Sequence, residues 1–141
     1  MADTLTGNII RLQVLGDPKA QKRHRFARRK GFMAKIDDSQ ADKQAFLLMV
    51  QQHAPVKPFE GPLRITMEFF FARPKSHYNK HGVKPNAPIW HTSKPDGDNL
   101  EKFVLDALNG IYWRDDSQVC LMEKMKRYSE TPMTIVEIEA L

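Results

Sequence analysis

The sequence predicts a small α+β domain, α/β-like in its alternation of elements, with a mixed β-sheet packed by helices. Three observations predict it. Stretches of alternating apolar residues lie near the start, the middle and the end of the chain. Two stretches between them repeat apolar residues at helical spacing. The 141 residues show no internal repeat and no long linker, so residues 1–141 are expected to form one domain around one core.

The first strand is predicted at Asn8 to Leu15, where Ile10, Leu12 and Val14 alternate with Arg11 and Gln13. GDPKAQKRHRFARRKGFMAKI follows, and its Gly, Pro and dense charge indicate a loop or a short irregular hairpin. Ser39 is placed to cap a helix running to about His53, with the apolar members of Ala41, Ala45, Leu48, Met49 and Gln52 as its buried stripe. LRITMEFFFA is a strand with Leu63, Ile65, Met67, Phe69 and Phe71 on one face. A long, basic, Pro-bounded loop extends from Arg73 to Pro95, a length that is often functional. The second helix begins at Asp98 as N-cap, with Glu101 as capping-box partner, and ends at Gly110. Its stripe is Leu100, Phe103, Val104, Ala107 and Leu108. VCLMEKMKRY and PMTIVEIEAL read as the last two strands.

No window approaches the roughly 18 apolar residues that span a bilayer. The start of the chain lacks the basic-then-apolar pattern of a signal peptide. A soluble, cytoplasmic protein with no membrane partner is expected. The single cysteine, Cys120, excludes an internal disulfide and a Cys-rich zinc site, and VCLM places it as a small buried residue. Neither a Walker A run nor GxGxxG occurs, so no nucleotide cofactor is expected.

Charge is polarised along the chain. The formal net charge is +5. Pro18 to Ile36 carries eight Lys or Arg and no acid, whereas Pro95 to Asp116 carries six acids and two bases. If Lys94 to Asp98 is extended, Asp96 and Asp98 project to one side. Two close carboxylates repel unless a cation or proton lies between them, and a hard ion such as Mg²⁺ takes oxygen ligands. One of Asp115 and Asp116 could join them while the other caps or binds backbone; strand parity does not choose between the two. Lys102, four residues after Asp98, either forms a surface ion pair or sets an ammonium beside a metal site. Asp106 either extends that ladder or faces solvent. DGDN is no EF-hand, since Leu100 and Glu101 stand where an oxygen ligand and a glycine are needed. His77 and His81 lack an acidic or Cys partner nearby, which leaves phosphate contact or exposure rather than zinc.

The basic half suits a polyanion. Lys22, Arg23, Arg25, Arg28, Arg29 and Lys30 interleave with Phe26 and Phe32, a composition that grips phosphates and stacks on unpaired bases. Arg73 and Lys75 of the long loop join them as candidate DNA contacts. The competing expectation is a solvated surface with both phenylalanines anchored in the core.

KPDGDNLEKFVLDALNG…WRDDSQV closely resembles the signature of the RusA family of Holliday junction resolvases, roughly PDxDNLxKxxxDALxxxGxxxDDxQV, over Pro95 to Val119. GDPKAQKRHRF resembles more loosely the family's basic N-terminal segment. The departure is the short NGIYW connection before the DD pair. The resemblance implies a RusA-like homodimer acting on four-way DNA junctions as a Mg²⁺-dependent endonuclease, with Mn²⁺ able to substitute. It implies a bacterial, phage or prophage source. It maps the metal-binding and catalytic aspartates onto Asp96, Asp98 and Asp116, and the functional lysine onto Lys102. The alternative is a module that captures branched DNA without cutting it.

Overall fold

The computed structural model describes the backbone of Ala2–Thr4 and the whole of residues 9–141. The strands are β1 (Ala2–Thr4), β2 (Ile9–Leu15), β3 (Arg25–Arg29), β4 (Phe32–Ile36), β5 (Leu63–Ala72), β6 (Tyr78–Asn79), β7 (Gly82–Val83), β8 (Val119–Ser129) and β9 (Met133–Ala140). The α-helices are α1 (Gln40–Val50) and α2 (Gly97–Leu108). The five-stranded sheet runs β1-β2-β9-β5-β8. It is mixed: β5 pairs parallel with β8, and the other pairs are antiparallel. The architecture is the α+β fold that the alternating patterns predict. Asn8, the predicted start of the first strand, lies outside the described residues, and β1 was not foreseen.

One face of the sheet is apolar because strand periodicity puts Leu12, Val14, Leu63, Ile65, Met67, Phe69, Val136 and Ile138 there, all buried. Helix α2 covers it with all five residues of its predicted stripe. Burying side chains of this size contributes about 1.5–3 kcal/mol each. Phe46 of α1 meets Phe103 of α2 edge to face, with centroids 5.8 Å apart.

Helix α1 differs from its predicted face. Ala41, Ala45, Leu48 and Met49 are exposed, while Lys43, Phe46 and Val50 are buried. This helix is apolar on most sides, and the side that turns inward carries Phe46, which packs on Phe103, and Lys43, whose ammonium binds Asp37 and Asp106. Ser39 is the N-cap residue, but its Oγ accepts from the Lys22 N–H instead of capping. Cys120 is exposed, contrary to expectation, because it lies near the start of β8, at the sheet edge.

The basic segment forms a hairpin, β3–β4, in a sheet of its own. Its two-residue turn has positive φ at Lys30 (45°) and Gly31 (86°), the primed geometry that matches strand twist. Phe26 and Phe32 do not anchor in the core; they are 64% and 61% exposed. Asp37 fastens the hairpin's base. Its carboxylate accepts from the Lys43 ammonium (2.8 Å), the Gln21 amide (2.9 Å) and the Ser39 N–H (2.9 Å). Lys43 first, then Gln21, hold Asp37 well below the usual carboxylate range.

Candidate active site

The site gathers at the start of α2. Asp96, not Asp98, is the N-cap, with extended backbone (φ −69°, ψ 149°). Lys94–Asp98 is therefore not extended throughout: the chain turns helical at Gly97, and Asp98 already lies in the first turn. The predicted capping box is absent, and Asp96 makes no side-chain cap bond. Asp98 and Glu101 instead share the Lys124 ammonium of β8, each at 2.9 Å. Lys124 holds the Asp98 carboxyl below its ordinary range, and the two carboxylates raise Lys124. Gly97 permits this approach, since a Cβ there would meet Lys124 Cε at 3.1 Å.

A cleft of about 330 Å³ is lined by Asp98, Asn99, Glu101, Lys102, Leu105, Asp106 and Asp116. It brings together three of the four residues mapped from the resemblance. Asp96 lines the neighbouring cavity with Lys19, Lys22 and Lys94, and Asn99 borders both. Among the described residues, no three His, Cys, Asp or Glu side chains stand in metal-holding geometry.

The DD pair divides its work. Asp115 caps the turn Asp116–Gln118: its side chain accepts from the Ser117 N–H (2.9 Å), and Gln118 completes a capping box. The Ser117 contact holds the Asp115 carboxyl low. Asp116 faces the cleft and accepts from the indole N–H of buried Trp113 at 2.8 Å. Burial pushes the Asp116 carboxyl up; the Trp113 bond opposes this, while Asp106 and Asp115 add to it. The site thus contains a half-buried carboxylate whose charge lacks compensation. Carboxylate oxygens are the donors that a hard divalent cation takes, so the donor chemistry of Asp98 and Asp116 suits the ion that the resemblance implies, while Asp96 lies on the neighbouring cavity.

Supporting groups came from far along the chain. Lys43 Nζ lies 3.2 Å from Asp106 as well as binding Asp37, so it links the hairpin base to the cleft. Tyr112 donates to the Val50 carbonyl at 2.6 Å, which ties the turn before Asp116 to the end of α1; burial pushes its hydroxyl up to about 12. Of the predicted DNA contacts, Lys22, Arg23, Arg25, Arg28, Arg29, Lys30 and Lys75 are exposed. Arg25 is held by Asp38 at 2.9 Å. Arg73 is half-buried, donates to the Pro88 carbonyl at 2.7 Å and lies over Tyr128. His77 packs edge-on to Tyr128, and His81 is exposed.

A mixed sheet carrying an acidic cleft at a helix N-terminus, with a basic hairpin joined to it through Lys43, defines a small α+β protein. The family model "Endodeoxyribonuclease RusA" matches residues 16–139, and the chain belongs to that family. It is 37% identical over 134 residues to the uncharacterized protein YqaN of Bacillus subtilis (strain 168), covering 92% of this chain and 94% of the relative. It is 27% identical over 125 residues to the crossover junction endodeoxyribonuclease rusA of Lactococcus phage r1t, covering 86% and 88%.

Proposed function

We propose that this protein is a metal-dependent, structure-selective endodeoxyribonuclease that resolves Holliday junctions by paired symmetric nicks, in DNA recombination and repair. Family membership supports the reaction class, and the phage relative's name supports the substrate. The observation that carries the reading is the cleft shared by Asp98, Lys102 and Asp116, in which Asp116 bears an undercompensated charge.

Asp96, Asp98 and Asp116 would hold Mg²⁺, or Mn²⁺ in its place. Held by these carboxylates, such an ion would supply Lewis acidity and lower the pKa of a water for phosphodiester hydrolysis. The protein's own groups do the rest. Trp113 orients Asp116, and Lys124 orients Asp98. Lys102 offers an ammonium to the charge that builds on the phosphate oxygens as the bond to the leaving oxygen breaks. Exposed hairpin cations bind the junction arms through phosphates.

The test is cleavage of a synthetic four-way junction against matched linear duplex, in Mg²⁺ and in EDTA. Paired nicks on the junction alone, and only with Mg²⁺, are expected. Asp96→Asn should abolish cutting yet leave junction binding intact or tighter, because it removes a ligand and a repulsive charge together. Tight binding without cuts in either metal would make the protein a branched-DNA-binding module instead.

A further inference from the structure

An aromatic groove adjoins the acidic cleft and shares only Lys124 with the scheme above. The end of the long loop runs along the free edge of β8: Tyr128 N–H donates to the Ile89 carbonyl (2.9 Å) and His91 N–H to the Lys126 carbonyl (3.1 Å). This pairing fixes Trp90 at the surface, 58% exposed, with the Arg127 guanidinium 5.6 Å from its ring centroid. His91 stacks on Phe71 at 3.9 Å and 14°. Trp90, His91, Gly97, Glu123, Lys124, Met125 and Lys126 line a groove of about 500 Å³. Gly97 and Lys124 connect it to the candidate site, since Gly97 separates Asp96 from Asp98 and Lys124 holds Asp98.

The occupant is identified by the exposed flat ring of Trp90 and the charges around it: Lys126, which donates to the Ser93 carbonyl, and Lys124, which binds Asp98 and Glu101, line the groove with the acid Glu123, and Arg127 lies against the Trp90 ring. An exposed aromatic ring flanked by cations matches a nucleobase with its phosphate. A base inside an intact duplex cannot present its face.

We infer that the Trp90 groove receives an unstacked nucleobase next to the phosphate held in the acidic cleft, and so favours branched DNA over intact duplex. This rests on the proposed nuclease reading for its substrate, but binding in the groove requires no cleavage.

The chain has two tryptophans, Trp90 exposed and Trp113 fully buried against Asp116, so the part of an emission change that Trp90→Phe removes reports on the groove. Titration in EDTA with a four-way junction, a matched duplex and a single-stranded oligonucleotide is the test. The junction and the single strand should quench emission, the duplex should not, and Trp90→Phe should lose the quench. Trp90→Ala should weaken junction affinity about 5- to 150-fold, the range for one base–aromatic stack, with duplex affinity unchanged. Trp90→Leu, which keeps apolar bulk, should behave like Trp90→Ala. A quench undiminished by Trp90→Phe, or equal weakening on duplex and junction, would overturn the inference. Junction cutting with no Trp90 quench would sink the groove alone. A single-strand quench in a protein that never cuts would sink the nuclease reading alone.

Discussion

At the scale of residues, the candidate site depends on partners that hold its carboxylates. Trp113 is the clearest. Its indole N–H donates to Asp116 from a position with no solvent exposure, so it fixes that side chain and offsets part of the cost of its burial. Trp113→Phe keeps an aromatic ring but removes the donor. Loss of such a supporting hydrogen bond typically lowers metal affinity or activity about 10- to 100-fold. Junction cleavage should fall by that factor, while junction binding in EDTA stays level. Thermal melting separates this from a packing defect: unchanged cleavage per folded molecule would show that Trp113 serves the core alone. Asp37 is a second such residue, and its effect is on stability. Its folded pKa is depressed, so it stabilises the protein above the unfolded carboxylate value, and that contribution is lost as pH falls below the ordinary 3.8 towards the folded value. Asp37→Ala should cost about 3 kcal/mol at neutral pH, at the upper end for charged hydrogen bonds. Urea denaturation across pH should show the gap to the unmutated protein closing in acid. A gap independent of pH would mean that Asp37 acts by packing rather than charge.

At the scale of elements, the β3–β4 hairpin stands apart from the main sheet and is fastened chiefly at its base, through Asp37, Asp38 and Ser39. An isolated two-stranded hairpin is marginal in water. This one also exposes Phe26, Phe32 and Met33 among uncompensated cations, which suits an arm that settles on DNA. Replacing Arg28 and Arg29 by Gln should weaken junction binding and lower the slope of log affinity against log salt by about 1.8, two phosphate contacts at 0.9 each. Fluorescence anisotropy over a salt series reads this directly, and an unchanged slope would remove both residues from the interface. The hairpin was legible only in part: Gly, Pro and dense charge indicated a loop or a short irregular hairpin, and the segment forms a regular one about Lys30–Gly31. Helix α2 was legible because its five apolar positions form a single stripe against polar neighbours. Helix α1 was not, since Ala41, Ala45, Phe46, Leu47, Leu48, Met49 and Val50 surround it and periodicity offers competing faces. Cys120 was misjudged because an apolar run on an edge strand resembles a buried one.

At the scale of the whole molecule, the acidic cluster was visible locally, while its surroundings were not. Asp96, Asp98 and Lys102 fall within seven residues, the DD pair offers a third carboxylate, and only the resemblance chose Asp116 over Asp115. The ammonium groups that manage these charges lie far off in sequence: Lys124 is 26 residues from Asp98, and Lys43 is 63 from Asp106. Only the sheet order and the packing of α1 on α2 make them neighbours, and no spacing rule reaches that far. The same scale sets the last expectation. One chain has one such cleft, whereas symmetric resolution needs two opposed strands cut. A two-fold dimer supplies two identical clefts facing related phosphates. Unmutated protein mixed with excess Asp98→Asn should then form mixed dimers with one working cleft. On a supercoiled plasmid extruding a cruciform, these should yield nicked circles in place of the linear product of paired cuts. If each chain works alone, the variant should only compete for junctions, slowing both cuts while leaving the ratio of linear to nicked product to follow the concentration of active protein.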